Sequence, residues 1–513
     1  MQLPIGIQDF QKLREGNYVY VDKTQHMLPF VQGGYYFLSR PRRFGKSLTI
    51  STLKALFEGK KHLFEGLWIH NQHDFEPHPV LHLNLPGVES RELPLSVGLT
   101  LYFQEQAARF GLTISDRSAR LAFRDLILGL SKGGKVVLLV DEYDKPLVDF
   151  LDDPEKLAEH QDLLKSVYGT IKELDEHLHL VILTGVSKFG KLSLFSDLNN
   201  LYDASLDPRF AELCGYTREE LERDFAEHHG QAQERLNMPS ETYWETVKRW
   251  YNGYSWGQHS AVYCPFSMLV FLQNPVFKPY WYETGTPTFL MKLVRKQGYT
   301  PFQLEHLRAG EQVVSTSSVE HLDPISIMFQ TGYLTLKEIQ PSIYGTSYTL
   351  GFPNEEVRVA FAQNLLQEYT DHQDSQAGLL GVTLRDALLH QNWEGFFEGV
   401  NATLAGVPYE IFPRKEAFFN SLMHLMLVST GLPTLSQVQT SKGRMDTVIE
   451  LSNQVFIFEF KLDGTAQEAL EQIRGAGYGE KYLGKQVLML GVNFDSASKS
   501  VSEWTSDVIN SSG

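Results

Sequence analysis

The feature that most constrains this chain is the run Val136-Val-Leu-Leu-Val140, followed at once by Asp141 and Glu142. Consecutive β-branched and leucine residues leave no polar face, so the run reads as a strand buried on both sides. Ending such a strand in two carboxylates is costly unless they hold a cation or water. Residues 179–184 form a second such run and residues 35–39 a further strand, with helical stretches between them. Short strands, 18–21 included, alternating with helices imply a parallel α/β sheet.

The strand at 35–39 runs into Arg40-Pro41-Arg42-Arg43-Phe44-Gly45-Lys46-Ser47, and a helix follows. In a phosphate-binding loop, glycines let backbone N–H groups wrap phosphates, the lysine neutralises the β/γ charge and the hydroxyl binds Mg²⁺. Arg40 stands where the first glycine of that pattern belongs, so the loop alone is a degenerate match. The acidic strand strengthens it. In nucleotide hydrolases the first acid holds Mg²⁺ and the second can activate the attacking water, the roles open to Asp141 and Glu142. Thr184, at the end of a later strand, could contact the γ-phosphate or the attacking water. Arg40, Arg42 and Arg43 could bind phosphate, pair with acids or face solvent. Asp22 and Thr24 read as turn and N-cap groups. His62, His70, His73, His78 and His82 match no common metal spacing, and Pro77 and Pro79 among them point to a loop leading into a strand.

Near the C-terminal end, residues 454–461 alternate. Phe456, Phe458 and Phe460 face one way; Val455, Ile457, Glu459 and Lys461 face the other. Residues 445–451 read as the antiparallel partner strand. With Ser452-Asn453 as the loop, paired residue numbers sum to 905, and Asp446 lies opposite Glu459. Opposed side chains have Cβ atoms about 4.5–5.5 Å apart, near enough for both carboxylates to hold one divalent ion, with Lys461 beside them to stabilise developing charge. The same spacing suits a surface ion-pair patch on a solvated strand face. Glu416, opening a helix, could supply a third acid. Gln472, on a helix downstream, could contact substrate or water.

A chain of 513 residues is too long for one core. The middle of the chain, with the aromatic and glycine stretch 250–256, reads as mainly helical. The net charge of −16 argues against a broad basic surface for nucleic acid. The two cysteines, Cys214 and Cys264, form neither a disulfide framework nor a metal cluster and fit a reducing cytoplasm. Neither a signal peptide nor a membrane span is expected.

In combination these motifs resemble a known family. Gly443-Arg444-Met-Asp446, Phe458-Glu459-Phe460-Lys461, Ala469-Leu-x-Gln472-Ile473 and Tyr478 look like a PD-(D/E)XK nuclease domain. Tyr20-Val21-Asp22-Lys23-Thr24, the loop at 41–47, Val140-Asp141-Glu142-Tyr143-Asp144 and the stretch 184–188 resemble the AAA-ATPase-like domain that often accompanies it. Residues 329–335 and 352–354 are similar to its linking segments. The resemblance implies an α/β protein with an N-terminal P-loop parallel-sheet ATPase (1–210), a helical lid or linker, winged-helix-like (211–380), and a restriction-endonuclease-like α/β domain (381–513). It implies Asp446, Glu459 and Lys461 as the nuclease core, Gln472 and Glu416 as supports, and Mg²⁺ or Mn²⁺ on Asp446, Glu459 and Glu416. It implies Lys46, Ser47 and Asp141 as ATP and Mg²⁺ contacts and Glu142 as hydrolytic base; Arg43, Phe44, Gly45 and Thr184 are expected beside them at the nucleotide, with Mg²⁺ on Ser47 and Asp141. The expected protein is a cytoplasmic, bacterial-type ATPase coupled to a metal-dependent nuclease acting on DNA before RNA, in defence or DNA processing. It has no membrane partner, and a homo-oligomer is left open. The alternative is a signalling ATPase whose nuclease-like domain only binds nucleic acid or a partner.

Overall fold

The structure, a computed structural model, describes residues 1–88, 92–151, 153–188, 194–195, 198–257, 261–281, 288–297, 301–315, 323–343, 345–370, 374–407, 415–439, 444–475, 482 and 484–509. The chain divides into two compact units, residues 1–284 with 308–354, and residues 285–307 with 355–513.

The first unit is built on a parallel sheet of β1 (Gly34–Ser39), β2 (Val80–Asn84), β3 (Val136–Asp141), β4 (Leu178–Gly185) and β5 (Tyr202–Asp203), in the order β2-β3-β4-β1-β5. Every residue of β3 is buried. Helix α1 (Lys46–Phe57) contacts β2 and β3. Helices α2 (Leu95–Arg109), α3 (Ala119–Leu130) and α4 (Pro154–Glu173) close one core with Leu138 and Val140 through Phe103, Phe123, Leu126, Leu164 and Ile171. Each such side chain contributes about 1.5–3 kcal/mol over its exposed state. The chain leaves β1 for the β2 edge and later crosses to β5 on the other side. This reversal, at the C-terminal end of β1, is where doubly wound sheets hold ligands.

Residues 18–21, expected as a strand, are extended chain that makes only a bridge between Gln2 and Tyr18 and a bond from the Val19 N–H to the Gln2 carbonyl at 3.0 Å. So short a partner cannot build a ladder. Further helices follow the sheet, the first opened by the Thr217–Glu220 capping box. Helix α5 (Pro324–Thr331) and the hairpin of β6 (Thr335–Ser342) and β7 (Gly345–Gly351) also belong to this unit.

The second unit carries helices α6 (Glu355–Thr370), α7 (Trp393–Ala405) and α8 (Glu416–Ser429) and a mixed sheet of β8 (Thr434–Gln439), β9 (Arg444–Glu450), β10 (Gln454–Leu462), β11 (Gln486–Asp495) and β12 (Ser500–Ile509). The strand order is β12-β11-β10-β9-β8, and α9 (Ala466–Gly475) connects β10 to its parallel neighbour β11. The phenylalanine face of β10 meets Trp393, Phe396 and Phe494, with ring centroids 6.1, 6.1 and 5.9 Å from Phe456, Phe458 and Phe460 respectively. Val455 and Ile457 pack with Leu470 and Ile473 of α9 on the other face. Neither face of this central strand is solvated, because α9 covers the side that alternation alone left open. The edge strands β8 and β12 went unforeseen, being polar and partly exposed. Among the described residues, no helix is long and apolar enough to cross a membrane.

Candidate functional site

The phosphate loop leaves the C-terminal end of β1. Arg43 (φ +70°) and Gly45 (φ +92°) have left-handed backbones, and Gly45 turns the chain into the first turn of α1. Lys46 is buried, and its Nζ donates to the carbonyls of Arg40 (2.9 Å) and Pro41 (3.0 Å). Burial pushes its pKa down, against the opposing pull of Asp141 and Glu142. The ammonium is thus folded back on its own loop.

Among the described residues Arg40 pairs with no acid, and it does not face solvent. It is fully buried and donates to the carbonyls of Ser39 (2.9 Å), Ser205 (2.7 Å) and Phe210 (2.9 Å). Its guanidinium lies 4.4 Å from the Trp256 ring, and burial lowers its pKa to about 10. The residue in place of the first loop glycine is a structural anchor. Exposed Arg43 lies over Phe266 at 4.9 Å, and buried Phe44 packs against Tyr254 and Trp256 at 4.6 and 5.2 Å.

At the end of β3, Asp141 is buried and accepts a 2.7 Å bond from the Thr184 hydroxyl. Glu142 follows with φ +53° and a pKa raised by burial. Asp144, not singled out from sequence, is buried and takes the Ser187 N–H and hydroxyl at 2.7 and 2.6 Å and the Val186 N–H at 3.2 Å. Burial raises its pKa against these donors. A cavity of about 370 Å³ opens on Arg43, Phe44, Gly45, Lys46, Ser47 and Glu142 and extends to apolar walls at Ile7, Val21, Leu48 and Leu269. Cationic and backbone donors at one end and an apolar wall at the other suit a nucleotide. Asp22 accepts from the Thr24 N–H and hydroxyl and from the Trp68 N–H, a turn role. His73 accepts from Phe75 N–H, and His78 stacks on His179 at 4.4 Å.

In the second unit β9 and β10 pair as Thr447–Phe458, Val448–Ile457, Ile449–Phe456 and Glu450–Val455, the register expected from a two-residue loop. The ladder ends at Thr447–Phe458 and gives way to a side chain: Asp446 Oδ2 accepts the Phe460 N–H at 3.1 Å. Glu459 is buried. Its Oε1 accepts from the Gln472 amide, whose Oε1 accepts from Lys461 Nζ at 2.6 Å. Strand period two puts Glu459 and Lys461 on one face, and α9 lays Gln472 across both. Burial first, and the Asp446 charge second, raise the Glu459 pKa to about 8; Lys461 opposes them, and Glu416 adds the weakest push.

Glu416 lies exposed in the first turn of α8. Among the described residues no three His, Cys, Asp or Glu side chains are gathered around a metal position, so Glu416 is not assembled as a third ligand. The residues present still fit a hard divalent ion. Buried Glu459 Oε2 has no hydrogen-bond partner among the described residues, and a carboxylate pair with water filling the other positions is a Mg²⁺-type donor set. Gly443 and Tyr478 lie outside the described residues. The long-range loop contacts of Tyr254, Trp256 and Asp144 went unread. The aromatic stretch 250–256 was visible in the sequence, but its partner was not.

Residues 4–195 match a family described as a predicted AAA-ATPase, and residues 414–504 match one described as the PD-(D/E)XK nuclease superfamily. An uncharacterized protein in the vnfD 5′ region of Azotobacter chroococcum mcd 1 is 39% identical over 518 residues, covering 98% of this chain and 98% of that protein.

Proposed function

Since the chain belongs to a family that joins a predicted AAA-ATPase domain to a C-terminal PD-(D/E)XK nuclease superfamily domain, we propose that it is an ATP-hydrolysing protein coupled to a Mg²⁺- or Mn²⁺-dependent nuclease. The proposed substrate is nucleic acid, DNA before RNA, and the proposed setting is the cytoplasm. One observation carries the nuclease reading: Lys461, Gln472 and Glu459 are linked by hydrogen bonds, Asp446 holds the neighbouring Phe460 N–H, and the buried second oxygen of Glu459 has no partner among the described residues.

Asp446 and Glu459 would hold the divalent ion, which when bound polarises the phosphoryl oxygen and acidifies a water. Gln472 fixes Glu459 by one oxygen and leaves the other for the ion. It also anchors Lys461, whose ammonium opposes the negative charge that grows on the phosphate. In the first unit Lys46 would leave the carbonyls of Arg40 and Pro41 to meet the γ-phosphate. Asp141 would hold Mg²⁺ with Ser47, Glu142 would take the proton of the attacking water, and Thr184 would orient it.

The test is incubation of the full chain with DNA or RNA and Mg²⁺ or Mn²⁺, with and without ATP. Metal-dependent cleavage that Asp446→Ala abolishes supports the reading. Equal signal from wild type and Asp446→Ala under every condition ends it. The net charge of −16 favours a second reading, in which the C-terminal domain binds nucleic acid or a partner without cutting. Binding indifferent to Asp446, alongside ATP turnover lost in Lys46→Ala, would select it.

A further inference from the structure

The nucleotide site is held from outside the sheet by residues far along the chain. Trp281 Nε1 donates to the Arg42 carbonyl at 3.1 Å. Gln330, buried in α5, accepts the Lys188 N–H at 2.6 Å. Gly332 ends α5 with φ +93°, and a Cβ there would lie 2.7 Å from Pro41 Cβ. Only glycine combines that backbone with that approach.

These contacts fall on the two ends of one site. Pro41 and Arg42 belong to the phosphate loop. Lys188 closes the turn that follows Thr184, and Thr184 bonds Asp141. Asp144 grips this turn through Val186 and Ser187, and Gln330 grips it one residue further on. The turn therefore lies between the acidic strand and α5.

The same segment leads out of the site. Thr335, the first residue of β6, accepts the Ser255 N–H at 2.8 Å and donates to the Ser255 carbonyl at 3.2 Å. Gly253 has φ +119°, and a Cβ there would lie 2.0 Å from the Pro353 carbonyl oxygen. Pro353 is two residues before Glu355, where the chain enters the second unit. Within that unit Arg358 pairs with Glu305 at 3.0 Å and Glu355 at 3.4 Å, so α6 starts from a fixed base.

We propose that Gln330 is a positioning residue for ATP hydrolysis, and that segment 329–335 carries the state of the γ-phosphate end of the site to the chain entering the second unit. This rests on the phosphate loop binding ATP. Lys46 must release the Arg40 and Pro41 carbonyls to reach a phosphate. Pro41 cannot then shift toward Gly332 without moving it, because the approach leaves no slack. Close-packed elements of this kind switch between arrangements rather than deform smoothly. Gln330 ties that shift to the turn after Thr184, so the loop and the turn move together.

Hydrogen exchange on the full chain, with Mg²⁺ and a non-hydrolysable ATP analogue or ADP, tests the relay. The analogue, but not ADP, should alter exchange in peptides covering 186–188 and 324–336. Steady-state hydrolysis tests the residue. Gln330→Leu removes one buried acceptor and should lower kcat about tenfold with KM for ATP within about twofold. Gln330→Glu keeps the acceptor and should restore most of the rate. Gly332→Ala should instead raise KM. Unchanged exchange at 324–336 with the analogue bound, or full kcat in Gln330→Leu, overturns the proposal while the ATP site stands. If wild type binds no analogue, the phosphate-loop reading fails and this proposal falls with it. Should Gln330→Leu not fold, exchange on wild type alone decides.

Discussion

The two sites treat their charges differently. At the phosphate loop, the protein supplies the partners: Lys46 donates to two carbonyls, Asp141 accepts from Thr184, and Asp144 accepts from Ser187 and Val186. At the carboxylate site, Glu459 is buried beside Asp446 with one oxygen lacking a partner among the described residues, and its pKa is raised to about 8. In the first arrangement each of these charged groups is held by the protein's own donors and acceptors, so a bound nucleotide would have to exchange bonds with them. The second stays electrostatically unfavourable until a cation or a proton arrives. A site of the first kind suits a switch, because a ligand that takes over one of these bonds must shift the groups that made it. A site of the second kind suits metal chemistry, because metal binding relieves the repulsion between the carboxylates.

The largest expected effects separate the sites outright. Asp446→Ala removes half of the carboxylate pair and should lower cleavage by about a thousandfold or more while ATP hydrolysis continues. Lys46→Ala should lower hydrolysis by about a hundredfold or more while the isolated fold persists. Parallel cleavage and hydrolysis assays on both variants read this. Loss of ATP hydrolysis in Asp446→Ala would show that hydrolysis itself depends on an intact carboxylate pair.

Next in size is Arg40→Met. The side chain serves three buried carbonyls and lies over Trp256. Leaving those acceptors unpaired should cost about 3 kcal/mol, seen as a lower urea midpoint for the first unit. An unchanged midpoint would mean that the self-satisfied network around the loop contributes little.

How much of this could be read from residues alone differs between the two regions as well. The register of β9 on β10 was legible because period-two alternation and a two-residue loop fix which residues face each other. The acidic strand was legible because Val136–Val140 leaves no polar face. Burial of the Glu459 face was not legible, since alternation shows that two faces exist but not that α9 returns to cover one. Nor was the part played by Arg40, Trp256, Trp281 and Gln330. Those contacts join residues up to more than two hundred positions apart, and no local period marks them. Phosphate, an acid and solvent were all open to the loop arginine, because its actual partners are backbone carbonyls, which a sequence does not single out.

A smaller effect follows from the Glu459 proton. Its pKa is raised from 4.5 to about 8 by burial and by Asp446. Between those values the folded chain keeps a proton that the unfolded chain has lost. The resulting stabilisation is complete below about pH 4.5 and is lost as pH rises to about 8. Metal-free wild type should therefore lose thermal midpoint between pH 5 and pH 8 relative to Glu459→Gln, by on the order of 5 °C. Parallel midpoint curves for the two proteins would remove the contrast between a strained and a satisfied site.

The smallest effect belongs to Glu416. It sits exposed in the first turn of α8, where the helix dipole favours an acid whatever its function. Its charge reaches Glu459 only as the weakest of the influences on that group, and no three-carboxylate cluster forms among the described residues. Glu416→Gln should therefore weaken Mn²⁺ binding, measured by calorimetry, by only about threefold, since a single screened charge contributes less than about 1 kcal/mol. A loss as large as that of Asp446→Ala would mean that Glu416 swings in to complete the metal shell. The carboxylate site would then be a pair at rest and a triad when loaded, closer to the phosphate loop in its dependence on movement.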